Sequence, residues 1–308
     1  MVKNCLYVII FLIVNFYKLN SAKTENTILE RKIPEIRIIN GYTCSTNDYP
    51  FVVKIKLGYT AKKSVTSCGG TLIRPKWVLS AAHCFSSKDV PKGVDFWIEA
   101  GCDNLQSGQT VEVETFYIHL KYKESNAIND IAIVKLRDPI VHVDGIGYAT
   151  LPRRNDSICS KAVVMGWGLT SNNLNPNQAL SISLQCGSVE IIDKSKCLEI
   201  SREISINFDF DKHSQICTFS RKQKAEARQG DSGGPLLCGD VQVGIVSFKT
   251  VIDPNNMDIE SPVVYTRVQY FLDFINDTIE NSGTMHSRSI LMVFIIFLRL
   301  LHNISVCH

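Results

Sequence analysis

The sequence predicts an all-β protein, on three observations. Short runs rich in valine and isoleucine recur along most of the chain. Clusters of Gly, Asn, Asp and Pro separate them, as turns between strands require. No repeat of solenoid period accompanies them. Many short strands with frequent turns belong to a barrel or a sandwich.

The strand runs begin with Phe51–Leu57 and Thr71–Leu79, followed by Val111–Tyr117, Ile131–Leu136, Ala162–Met165 and Val241–Phe248. One segment departs from this texture. Across Tyr270–Ile279 the apolar residues Phe271, Phe274, Ile275 and Ile279 share one face of a short helix. Beyond a polar break at Asn281–Ser289 a second apolar run, Ile290–Leu301, is interrupted only by Arg299.

The chain has 308 residues, 45% hydrophobic and 20% charged, enough for one large domain or two smaller ones. Its 33 basic and 30 acidic residues leave a net charge of +3, which argues against nucleic acid or polyanions as partners. The 11 cysteines include no tight CxxC pair, so disulfides in an oxidising compartment are expected rather than a structural zinc site. The N-terminus agrees. Lys3, an apolar run from Cys5 to Phe16, and small residues at Ser21 and Ala22 read as a secretory signal peptide over residues 1–22. The polar stretch Lys23–Arg37 reads as a pro-segment, residues 38–281 as the folded domain, and residues 282–308 as a C-terminal tail.

Three segments carry chemistry. They are Leu79-Ser80-Ala81-Ala82-His83-Cys84, Asn129-Asp130-Ile131-Ala132 and Gly230-Asp231-Ser232-Gly233-Gly234-Pro235. A histidine beside a cysteine or an aspartate before a strand says little alone. A serine flanked by glycines is sharper, because glycine permits unusual backbone angles and lets N–H groups approach a substrate carbonyl. With Ile38-Ile39-Asn40-Gly41-Tyr42, Cys68-Gly69-Gly70-Thr71-Leu72-Ile73, Gly166-Trp167-Gly168 and Val264-Tyr265-Thr266-Arg267-Val268, these segments resemble the trypsin-like, chymotrypsin-fold serine proteases from Ile38 to Asn281. The order His, Asp, Ser is that family's order.

The resemblance implies two six-stranded antiparallel β-barrels with a C-terminal helix, and a secreted serine endopeptidase made as a zymogen. His83, Asp130 and Ser232 become the catalytic triad, and the N–H groups of Gly230 and Ser232 the oxyanion hole. Ser247, beside Phe248 at the substrate pocket, supports the triad aspartate. Cleavage after Arg37 frees the amino group of Ile38 to pair with Asp231. Disulfides are implied for Cys44–Cys186, Cys68–Cys84, Cys197–Cys217 and Cys159–Cys238, the last with Cys159 a few residues early. Cys102 is left as a free thiol or a partner for Cys307. Arg228 replaces a cysteine usual in the family, so one pocket staple is absent.

The same alignment puts Glu226 at the base of the substrate pocket, where trypsin has Asp, which attracts Lys or Arg at P1. Lys249 and Val263 replace pocket-wall glycines and point instead to a narrowed, elastase- or chymotrypsin-like preference, or to very narrow specificity. Cys102 displaces the first acidic ligand of the calcium loop, so neither a metal nor a cofactor is expected. The sequence Asn155-Asp156-Ser157 fits a glycosylation sequon, as do Asn276-Asp277-Thr278 and Asn303-Ile304-Ser305. The expected partners are protein or peptide substrates, an activating trypsin-like protease and serine protease inhibitors, with the chain a monomer. The apolar tail reads as packed or disordered, or as a GPI signal behind Ser282-Gly283. A non-catalytic binding protein on the same scaffold is the competing function, with the pocket substitutions its only support.

Overall fold

The computed structural model describes residues 41–86, 90, 93–101, 108–141, 145–168, 181, 183–204, 208–219, 227, 230–250 and 261–282. Thirteen strands run through them. The first barrel is built from β2 (Val52–Gly58), β3 (Ser64–Arg74), β4 (Trp77–Ser80), β5 (Asp95–Ala100), β6 (Gln109–Ile118) and β7 (Ala132–Leu136). These close in the order β2-β3-β4-β7-β6-β5. The expected strand Thr71–Leu79 is in fact the end of β3, a turn and all but the last residue of β4, because Arg74↔Trp77 closes a hairpin there. Strand β5 shows the two-residue period of a half-buried strand: Phe96, Ile98 and Ala100 point inward while Asp95, Trp97 and Glu99 alternate outward.

The second barrel contains β8 (Lys161–Gly166), β9 (Gln185–Ile192), β10 (Gln215–Phe219), β11 (Pro235–Cys238), β12 (Val241–Lys249) and β13 (Val263–Arg267). Pairing of β8 with both β9 and β11 closes this ring of six antiparallel strands. The two-residue strand β1 (Tyr42–Thr43) adds to β9, where Tyr42 lies opposite Cys186.

Two α-helices lie among the described residues. Helix α1 (Lys194–Glu203) was not anticipated from the periodicity. Asp193 caps it by accepting the Lys196 N–H at 2.8 Å, and Cys197 and Ile200 bury its inner face. Helix α2 covers residues 272–282, after a 3-10 turn at Val268–Phe271. Its buried residues Ile275 and Ile279 join the core of the first barrel, with Ile55, Leu72 and Ile133. Helix α2 thus straps the first barrel. No helix among the described residues is long and apolar enough to cross a membrane.

Four disulfides lie among the described residues: Cys44–Cys186, Cys68–Cys84, Cys159–Cys238 and Cys197–Cys217. The early position of Cys159 does not prevent its bond. Cys102 and Cys307 lie outside the described residues, as does most of the loop expected to lack calcium.

Candidate active site

The register of β4 on β7 brings the histidine and aspartate segments together. Ser80 pairs with Ala132, so the residue runs just beyond them, 81–83 and 130–131, emerge at the same end of the barrel. His83 sits there in a 3-10 turn over Ala82–Phe85, and Asp130 lies two residues before β7. Asp130 is fully buried. A carboxylate in that position costs stability unless donors surround it. Three do. The His83 backbone N–H donates to Oδ1 at 2.9 Å, the His83 Nδ1 lies 2.8 Å from Oδ2, and the Ser247 hydroxyl donates to Oδ2 at 2.5 Å. A fourth donor, the Thr266 hydroxyl, binds the Asp130 carbonyl at 2.7 Å. With Nδ1–H committed to the carboxylate, the lone pair of Nε2 faces away from Asp130.

The turn before Asp130 is unusual. Asn129 adopts φ 58°, a left-handed conformation that asparagine tolerates better than most residues. Its side-chain amide donates to the Lys121 carbonyl at 2.8 Å, and its own carbonyl accepts the Ile131 N–H at 2.9 Å. Ala127 is also left-handed, at φ 48°.

The serine segment is a tight loop of the second barrel that presses on the first. Gly230 and Gly233 have φ of 97° and 80°. A Cβ on Gly233 would lie 2.2 Å from the Ser80 Oγ and 2.5 Å from the Gly69 carbonyl, so only glycine fits. The Ser232 carbonyl accepts the Gly69 N–H at 2.7 Å, the Gly233 N–H donates to the Val246 carbonyl at 2.8 Å, and the Val246 N–H donates to the Gly234 carbonyl at 2.9 Å. Cys84 Sγ lies 3.8 Å from the Ser232 carbonyl oxygen and 3.8 Å from His83 Nε2. One sulfur therefore neighbours both the serine main chain and the outer nitrogen of the imidazole. The cluster of Cys68, His83 and Cys84 is not a metal site of thiolates, because its two sulfurs are bonded to each other.

Asp231 is buried completely and accepts the Gly168 N–H at 2.7 Å. Side chains at Gly166 or Gly168 would collide with this carboxylate, at 2.2 and 2.6 Å. This explains the Gly-Trp-Gly motif in physical terms. Arg37 and Ile38 lie outside the described residues.

The pocket residues are only partly brought together. Lys249 stands opposite Val263 in adjacent strands, and Val263 is buried. Phe248 packs edge-on against Phe208, with ring centroids 5.7 Å apart. Glu226 lies outside the described residues. Two contributors escaped the sequence reading. Thr266 was quoted within a motif but reads as an ordinary strand former, and Phe208 stands in a stretch without a motif.

A buried carboxylate orienting a histidine, beside a serine on a glycine loop, is the equipment of a serine endopeptidase. The comparisons agree. The family model for trypsin matches residues 38–275. Among similar proteins, dog anionic trypsin is 32% identical over 79% of this chain and 90% of its own length. Rat trypsin-4 is 32% identical over 80% and 91%, and human kallikrein-7 is 29% identical over 79% and 88%. The chain belongs to the trypsin family of serine endopeptidases.

Proposed function

We propose that this chain is a secreted zymogen that, once cut after Arg37, hydrolyses peptide bonds through an acyl-enzyme on Ser232. The observation that carries this reading is the grip on Asp130, which holds the His83 ring through Nδ1 and turns Nε2 away from the carboxylate. His83 takes the serine proton during attack and returns it to the leaving amine. Asp130 fixes the tautomer and stabilises the imidazolium, without itself taking the proton. The N–H groups of Gly230 and Ser232 hold the oxyanion, and loss of one such donor costs about 10²–10³ in rate.

Activation follows from the burial of Asp231. The freed amino group of Ile38 would compensate this carboxylate and order the oxyanion loop. Such an amine has an unperturbed pKa of about 7.7–8.0, which pairing raises. The pair, and the activity that depends on it, is therefore lost as pH rises through the raised value. The activator accepts Arg, so it is another trypsin-like protease. Residues 1–22 would direct export and residues 23–37 form the pro-segment. The disulfides fit an oxidising compartment. Substrates are proteins or peptides, and no cofactor or metal enters these steps. The exposed residues Asn155 and Asn276 leave two of the sequons accessible to glycosylation, while Asn303 lies outside the described residues.

The P1 preference turns on Glu226 against Lys249 and Val263. The test is hydrolysis by the cut protein of peptides varied only at P1, with Ser232→Ala as control. Turnover on Arg or Lys peptides assigns the pocket to Glu226, and an apolar preference assigns it to Lys249 and Val263. Absence of turnover above the control in folded, cut protein overturns the reading.

A further inference from the structure

A groove of about 700 Å³ opens between strand β6 and helix α2. Tyr117, His119 and Leu120 line it from the strand and its end, and Phe274, Asn281 and Ser282 line it from the helix. The His119 ring meets Phe274 edge-on, with centroids 4.9 Å apart. Tyr117, His119 and Phe274 are half-buried, while Leu120 is wholly exposed. A bare leucine beside aromatic rings marks a surface that another group covers. Among the charges of the lining, Lys135 Nζ donates to Glu114 at 2.8 Å. Lys121 and Asp277 remain exposed, one from each wall.

The chain itself indicates the occupant. Ser282, the last described residue of helix α2, is part of the lining, so the residues that follow it leave from the rim of the groove. Gly283 comes next, and a glycine after the last helical turn favours the left-handed stop that reverses the chain. Residues 283–289 make a polar link, and Ile290–Leu301 then supplies Ile, Leu, Val and Phe. At about 3.3 Å per residue the link spans up to about 23 Å, more than the roughly 16 Å rise of helix α2. The apolar run therefore reaches every part of the groove. It is well short of the ~20 residues that cross a bilayer, and runs of its length more often pack on protein. Charge agrees. Helix α2 carries Asp273, Asp277 and Glu280 and no basic residue, whereas residues 283–308 carry Arg288 and Arg299 and no acidic one. Asp273 is already held by Arg154, which leaves Asp277 in the lining for Arg288.

We propose that this groove is the docking site of the chain's own C-terminal segment. Apolar side chains of Ile290–Leu301 fill it against Leu120, His119 and Phe274, and Arg288 stands against Asp277. The segment thereby covers the bare leucine and extends the strap that helix α2 lays on the first barrel.

The test places a photoreactive p-benzoylphenylalanine at Leu120 of the full chain, where full exposure lets the replacement leave the fold intact. After irradiation, with and without phosphatidylcholine vesicles, the digested protein is mapped by mass spectrometry. Crosslinks to Ile290–Leu301 within one molecule are expected in both conditions. Crosslinks only between two copies, only to lipid, or to no part of residues 283–308 would overturn the proposal. So would an intact mass showing that those residues are removed from the secreted protein. In parallel, hydrogen exchange compares the full chain with a chain stopped after Ser282, with β8 to β13 as the control for folding. Amides at 119–121 and 278–282 are expected to exchange about tenfold faster in the shortened chain. Equal exchange in a folded shortened chain would also overturn the proposal, and if that chain does not fold the crosslinks decide. Neither arm needs turnover, so the result is independent of the endopeptidase reading.

Discussion

The two barrels solve the same problem by different means. The first barrel is held by packing. Ile55, Leu72, Leu79, Ile98, Ile133 and Leu136 are fully buried in one cluster, and its single described disulfide, Cys68–Cys84, spans only 16 residues of sequence. The second barrel divides its buried apolar residues among three smaller clusters, around Val164, Leu236 and Tyr265, around Met165, Trp167 and Leu184, and around Phe210 and Val264. It takes the longer staples instead. Cys159–Cys238 spans 79 residues, and Cys44–Cys186 spans 142 to bring β1 onto β9. The division follows the chemistry each barrel carries. His83 and Asp130 need a fixed mutual distance, which a packed core supplies. The serine loop needs glycines, tight turns and close backbone approach, which add little apolar burial.

Four experiments sharpen or break this contrast. The largest effect is expected from Asp130→Asn in the first barrel. The imidazole tautomer reverses, and kcat on any cleavable peptide falls by about 10⁴. A fall of less than tenfold would separate the His83–Asp130 contact from catalysis. Next, Leu72→Ala in the first core and the double variant Cys159→Ala, Cys238→Ala in the second barrel are each expected to cost ~2–5 kcal/mol of stability in denaturant unfolding. If the cysteine variant proves neutral, the second barrel does not depend on its staples.

Thr266→Val removes one hydroxyl donor to the Asp130 carbonyl, and is expected to cost about 1 kcal/mol of stability. Activity lost without lost stability would make Thr266 a positioning residue instead.

The smallest effect concerns His119, packed edge-on against Phe271 and Phe274 of the C-terminal strap at 5.2 and 4.9 Å. Burial first, and Lys121 second, pull its pKa below the ordinary value. The unfolded chain therefore binds the proton more readily. Stability is full above about pH 6.5 and declines as pH falls below it. His119→Phe should flatten that part of the stability profile, and an unchanged slope would assign it to other groups.

The triad candidates were legible because their neighbours are constrained. Gly233 has no room for a Cβ, and Gly166 and Gly168 wrap a buried carboxylate, so those motifs carry a physical signature in the sequence. Most strands were legible too, because alternation and turn residues are local. Helix α1 was not, since it has a narrow buried face within a polar surface. The split of β3 from β4 was missed because only Arg74 and the two-residue turn Pro75-Lys76 separate Leu72-Ile73 from Trp77-Val78-Leu79.

By itself the sequence determined the barrel class, the reactive residue types and the cysteines available for bonding, since each depends on local pattern or on motif. Only the tertiary structure decided that Thr266 holds the carbonyl of Asp130 from 136 residues away, that the last helix straps the first barrel, and that Leu120 and Ser282 line one groove. Those relations join residues far apart in the chain, and the strand register that brings them together is set by the closing of two barrels rather than by any neighbouring sequence.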